Sequence, residues 1–224
     1  TRSCLYNNVT LYKRPFASEL GTRNLSEAWL SIGVFTLAIV YSILYQGHWA
    51  IVRDYVNILD KANWGLFGIY SLIVWTLALV VMPGILFLLS FTGVKLSKLE
   101  TGVKHVFLVS AGALLPLGLM LWITFVIPML FVNATFVLQS LSDPFGWGWD
   151  FFGTANIPWH QLLPRLVPWL QAVLILIGLQ LSLRNLRKSW FKNQIKSQKL
   201  MLLILPVGLF IASCSVAMIV FFTN

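Results

Sequence analysis

Charge is what this chain has least of. Asp, Glu, Lys and Arg make up 10% of its 224 residues, whereas a soluble domain of this length carries roughly a quarter. So few charges cannot cover a surface in water, which excludes soluble enzymes, nucleic-acid binders and disordered regulators. Cysteine is scarce as well: Cys4 and Cys214 cannot build a disulfide scaffold. No metal-ligand cluster, nucleophile with an adjacent base, or glycine-rich phosphate loop is visible. Apolar residues supply what is abundant, 58% of the chain with a mean hydropathy of +0.81. The composition is that of an integral membrane protein.

A bilayer core takes about 20 apolar residues in a helix. Five stretches qualify, at residues 28–45, within 65–92, within 106–132, at 166–183 and at 200–222. None contains Asp, Glu, Lys or Arg, and none shows the alternation of a barrel strand. The expected fold is therefore all-α, with five transmembrane helices. Asn24 with Glu27 three residues later has the form of a cap for the first helix. Pro83-Gly84 is expected to bend the second helix, and Pro116 and Pro128 the third. The absence of an internal repeat gives no support to an inverted-repeat transporter. Ion or proton coupling is disfavoured too, because ionisable residues inside the membrane usually mark such pathways.

Lys and Arg set the orientation. Arg2, Lys13, Arg14, Arg23, Lys95, Lys98, Lys104, Arg184, Arg187, Lys188, Lys192, Lys196 and Lys199 fall on one side. Arg53, Lys61 and Arg165 fall on the other. The N-terminus is thus expected in the cytoplasm and the C-terminus outside. Contact with anionic head groups accounts for the +9 balance without nucleic acid. Arg184, Arg187, Lys188, Lys192 and Lys196, with Trp190 and Phe191 among them, read as a lipid-facing basic surface. The chain opens on Thr1, with no charged segment followed by a short apolar core, so no cleavable signal is expected. Processing or further upstream residues would both account for that start.

Two external connections carry the polar chemistry. Residues 48–63 place Ile51, Val52, Tyr55, Val56 and Leu59 on one helical face, as an interfacial helix does. Residues 133–165, NATFVLQSLSDPFGWGWDFFGTANIPWHQLLPR, make a long connection rich in rings and turn glycines. Trp147, Trp149 and Trp159, with Asp150 and His160 as polar groups, could dock a redox partner or a quinone. An aromatic belt anchoring a lid at the head groups is the alternative. The Asn133 sequon lies too close to the membrane for glycosylation. Transmembrane haem needs facing histidines at one depth, which His48, His105 and His160 do not supply within helices. That argues against a dihaem cytochrome and leaves at most a peripheral haem at the outer rim. Cys214, among apolar residues, reads as packing.

The run Cys4-Leu5-Tyr6-Asn7-Asn8-Val9-Thr10-Leu11-Tyr12-Lys13-Arg14-Pro15-Phe16-Ala17-Ser18-Glu19-Leu20 resembles the segment after a bacterial-type iron-sulfur motif in membrane-bound polyferredoxins. The run Ser142-Asp143-Pro144-Phe145-Gly146-Trp147-Gly148-Trp149-Asp150 is similar to one in the membrane part of such proteins, which accompany nitrate and nitrous oxide respiration. The resemblance implies a membrane-anchoring electron-transfer subunit of a respiratory complex in the bacterial cytoplasmic membrane. Residues 1–25 would be the tail of a ferredoxin-like region and 26–224 the transmembrane domain. Cys4 would match the last cysteine of a 4Fe-4S motif, with the other ligands outside this chain segment, although Leu5 stands where the family has proline. An upstream part of the same gene, a partner subunit, or loss of the cluster would each explain the missing thiolates. Two other roles fit the residues: a structural subunit without a cofactor, and a permease for a neutral molecule.

Overall fold

The computed structural model describes residues 22, 24–46, 50–57, 62–190 and 197–223. The elements are α1 (Leu25–Gln46), α2 (Ala50–Tyr55), α3 (Trp64–Thr76), a π-turn (Leu77–Val81), α4 (Met82–Ser97), α5 (Val103–Ser142), α6 (Val167–Lys188) and α7 (Ser197–Thr223). Among the described residues, five spans are long and apolar enough to cross a membrane, the stretch of α3 and α4 forming one of them. The expected multi-pass helical architecture is present.

Local chemistry explains where these helices start and bend. At the head of α1, the Glu27 N–H donates to Asn24 Oδ1 at 2.9 Å, and the Asn24 amide donates to Glu27 Oε1 at 3.2 Å. Pro83 has no N–H, and its ring would crowd the Leu79 carbonyl in a regular helix. The chain relieves this by widening one turn ahead of it, and the Met82 N–H reaches back to the Leu77 carbonyl.

Helix α5 is the centre of the bundle. It packs between α1 and α6 and touches α4, while α7 closes against α4 and α6. Ile32 and Phe35 of α1, Leu114, Leu117 and Leu121 of α5, Ile175 of α6, and Val207 and Ile211 of α7 meet in one buried cluster. Lipid is as apolar as these side chains, so contact rather than water exclusion must hold the helices together. Small residues permit that contact. A Cβ added to Gly93 of α4 would lie 2.3 Å from the Leu203 carbonyl oxygen of α7. One added to Gly178 of α6 would lie 2.9 Å from Met120 Cβ of α5.

Polar groups supply the rest. Pro116 and Pro128 leave the carbonyls of Gly112 and Thr124, four residues earlier, without their helical donors. Helix α6 provides both replacements. The Asn185 amide donates to the Gly112 carbonyl at 3.1 Å, and the Gln171 amide donates to the Thr124 carbonyl at 3.1 Å. Next to the first proline, the Leu117 N–H donates to Ser182 Oγ at 3.1 Å. Across the other face of α5, Trp122 Nε1 donates to the Val34 carbonyl at 2.9 Å, and Ser31 Oγ to the Ala111 carbonyl at 2.6 Å.

Four expectations need correction. Helix α5 does not stop near residue 132 but continues to Ser142, so residues 133–142 are helix rather than loop. Nothing in NATFVLQSLS forbids a helix, whereas Pro144 keeps Asp143 out of helical geometry, with φ −130° and ψ 72°. The sequon therefore lies on a helix, with Asn133 Nδ2 donating to the Met129 carbonyl at 2.8 Å. Helix α6 likewise runs on to Lys188, because cations at a helix C-terminus favour its unpaired carbonyls. Arg184, Arg187 and Lys188 thus form its end rather than a free basic connection; Lys192 and Lys196 lie outside the described residues.

Trp190, expected at the membrane surface, is 1% exposed. The turn after α6, closed by the Trp190 N–H on the Arg187 carbonyl, tucks the indole against Val106 and Leu203. His105 meets its ring edge-on at 5.2 Å. The interfacial helix is shorter than 48–63. It spans Ala50–Tyr55, with Ile51 and Tyr55 exposed and Val52 and Val56 half-buried; Leu59 and Lys61 lie outside the described residues.

Replacing Gly93 by Ala should separate α4 from α7 and destabilise the bundle by about 1–3 kcal/mol, the usual range for overpacking. The readout is the thermal unfolding midpoint in detergent. Gly33→Ala, where a Cβ meets nothing within 4 Å, should leave the midpoint unchanged or raise it.

Candidate functional site

The spans give the bundle two ends. The first gathers Thr22, the α4–α5 connection and the end of α6. The second gathers the end of α1, α2 and the connection from α5 to α6. Among the described residues, Lys95, Lys98, Lys104, Arg184, Arg187, Lys188 and Lys199 belong to the first end, and Arg53 and Arg165 to the second. Two regions at the second end have enough structure to act as sites.

One is the connection after Ser142, which two carboxylates fold upon itself. Asp143 Oδ1 accepts from the Trp147 N–H at 2.9 Å and its Oδ2 from the Gly148 N–H at 2.8 Å. That tight turn needs a positive φ at Gly146 (68°) and Gly148 (80°), which glycine adopts without strain. Asp150 Oδ1 accepts from Ser142 Oγ at 2.6 Å and from the Ala155 N–H at 3.0 Å. Ser142 Oγ in turn accepts from the Phe152 N–H at 3.1 Å. The far part of the connection is pinned to α5 by Thr154 Oγ1 on the Leu138 carbonyl and by Trp159 Nε1 on the Val132 carbonyl.

The turn lines up four rings in contact. Phe145 stacks on Trp147 at 4.9 Å, Trp149 meets Trp147 edge-on at 4.9 Å, and Phe151 follows Trp149 at 5.0 Å. They stand outward, Trp147 being 67% exposed and the neighbouring Phe152 70%. The aromatic residues singled out from the sequence are thus brought together, apart from Trp159, which pairs with Phe136 of α5 at 6.5 Å. Asp150 is exposed and at the same time ties the loop internally. His160 is exposed and its Nδ1 lies 3.0 Å from the Pro158 carbonyl oxygen.

The second region was not singled out from the sequence. A cavity of about 990 Å³ lies between the end of α1, the Pro128 turn of α5, the start of α6 and the end of α7. Gln46 and Gln171 are among its lining residues, and their side chains touch, Gln171 Nε2 to Gln46 Oε1 at 3.2 Å. The Gln46 amide also donates to the Phe125 carbonyl. A signal was available: Gln171, Gly178, Ser182 and Asn185 recur at helical spacing in an apolar span, marking a face that packs on protein rather than lipid. Near the first end, a smaller cavity of about 530 Å³ is lined by Gln180, Leu183, Arg184, Arg187 and Lys188.

Cys4 and His48 lie outside the described residues. Among the described residues, no group of three His, Cys, Asp or Glu side chains is arranged to hold a metal ion. Cys214 is half-buried in α7 among apolar neighbours. Compared with protein-family models, with curated proteins and with solved structures, the chain matches none.

The loop should respond to acid. The Ser142 hydroxyl, and then the Ala155 N–H, hold the Asp150 carboxyl below its usual range. Ordering of the loop is then complete above the ordinary Asp value and is lost as pH falls through the lowered one. Hydrogen exchange at the Phe152 and Ala155 amides should accelerate below that point. Asp150→Asn keeps an acceptor and should retain the protected loop without the pH response, while Asp150→Ala should expose both amides at neutral pH.

Proposed function

We propose that this chain is the membrane-anchoring subunit of an electron-transfer complex, with the first end in the cytoplasm and the second outside a bacterial inner membrane. The observation that carries the reading is the order of the loop from Ser142 to Asp150. This stretch resembles the membrane part of polyferredoxin-type proteins, and it presents four rings on a turn closed by Asp143 and Asp150. An aromatic belt needs only to bury rings among head groups, without internal hydrogen bonds of this kind. A docking surface gains from them, because rings already fixed lose little entropy when a partner covers them. The seven described cations at the first end against two at the second support the orientation.

The residues of this chain do not fit a complete iron-sulfur cluster. A cubane takes four thiolates, and the sequence holds two cysteines, one of them Cys214 within α7. Any cluster draws its other ligands from outside the chain, and no electron step is assigned within the bundle. The bundle's own contribution is to anchor, to orient its partners and to keep the two faces apart through an interior without charged side chains among the described spans.

Iron and acid-labile sulfide measured on the complex purified natively from membranes test this reading. We expect near-stoichiometric iron with the intact chain, and loss of the outer partner when Trp147 and Trp149 are both replaced by Ser. A complex that never carries iron would sink the electron-transfer role and leave a scaffold. Retention of every partner by the double variant would remove the loop as the docking surface.

A further inference from the structure

The cavity at the second end has the composition of a ligand site. Its size, about 990 Å³, reaches the upper part of the range found for small-molecule pockets. It carries no charged side chain among its lining residues; Val220, Phe221 and Phe222 contribute apolar wall, and Tyr45 and Asn133 add polar groups to its lining. The less exposed part of its polar lining is the pair Gln46 and Gln171. Gln171 is 3% exposed, and both of its N–H groups are engaged, on the Thr124 carbonyl and on Gln46 Oε1. Gln46 uses one N–H on the Phe125 carbonyl. Among the described residues, that leaves one Gln46 N–H and the Gln171 carbonyl oxygen without a partner.

A spare donor and a spare acceptor on two touching side chains, in a recess without charge, define what fits. Burying an ion there without a countercharge would be unfavourable, and a purely apolar molecule would leave the spare donor and acceptor unpaired. The pair also lies at a defined depth, since Gln46 is the last residue of α1. A molecule whose polar head reaches the amides would have its tail in the hydrocarbon beside the bundle.

We infer that this cavity binds a neutral amphiphile whose head group carries a carbonyl or ether oxygen and a hydroxyl on an apolar tail, the oxygen taking the free Gln46 N–H and the hydroxyl donating to the Gln171 carbonyl. Glycerides and hydroxylated aromatic lipids such as hydroquinones both present this chemistry. The site does not depend on the anchoring role proposed above. Pro128 creates it indirectly, because the Thr124 carbonyl it releases is what fixes the Gln171 side chain in place.

The test uses the full chain in phosphatidylcholine nanodiscs, whose lipid lacks the hydroxyl, and two radiolabelled probes, monooleoylglycerol and a decyl-benzoquinol. Saturable binding of either at one molecule per chain is expected, and the probe that binds identifies the source. Gln171→Met should weaken binding at least tenfold. Val220→Trp should block it by filling the wall while leaving both amides in place, which covers the case in which the Gln171 variant fails to fold. Uptake no greater than in empty nanodiscs, or saturable binding unchanged by Val220→Trp, would overturn the proposal. No redox partner is present in this assay, so binding here together with a native complex that never carries iron upholds the site while the anchoring role fails. Iron without binding does the reverse.

Discussion

In the bilayer, a backbone carbonyl that loses its helical partner has no water to replace it, and much of this bundle follows from that constraint. Pro116 and Pro128 release two carbonyls on α5 twelve residues apart, about 18 Å along the helix. Asn185 and Gln171, which answer them from antiparallel α6, lie fourteen residues apart, about 21 Å. Two matched pairs at nearly equal spacing fix the register of one helix on the other. A slip of one turn would take both replacement donors away from the two carbonyls at once. Packing alone would not specify this so sharply, since apolar ridges can shift by a turn at modest expense. The small side of α6 at Gly178, between the two amides, lets the helices approach closely enough for side chains to reach backbone.

The same helix carries the outer loop. Because α5 runs unbroken to Ser142, the side chain of its last residue becomes part of the turn that follows, accepting from Phe152 and donating to Asp150. The ring row therefore takes its position from the helix rather than from a free linker. A forty-residue helix of about 60 Å exceeds the hydrocarbon thickness of about 30 Å. Its outer turns can thus extend into the head-group region, where Trp159 returns to cap the Val132 carbonyl.

The spans were legible because a membrane helix must be apolar over its whole length, and composition alone reveals that. Ends were less so. Residues 133–142 mix Asn, Thr, Gln and Ser with apolar side chains, a pattern that suits a loop at the interface or a helix leaving it; the Asp143-Pro144 stop was the better guide. The aromatic content of the loop was plain, but the role of Asp150 was not. A carboxylate read from sequence looks available to a partner, whereas here it is engaged by a serine eight residues earlier and an N–H five residues later. The amide pair depends on which helices are neighbours, and no reading of α1 or α6 separately places Gln46 against Gln171.

Neutral amides and missing charges answer the same physical demand. An ion in the core of this bundle would need a buried counterion, whereas a glutamine can be satisfied by a carbonyl that a proline has already released. Two glutamines placed this way engage the Thr124 and Phe125 carbonyls and still keep one donor and one acceptor in reserve among the residues that line the cavity. Hydrogen-bonding capacity is thereby kept within an otherwise apolar interior without an ionisable group. The arrangement separates charge at the first end, neutral polarity beside the cavity and aromatic surface at the second, and each part can change without disturbing the electrostatics of the others.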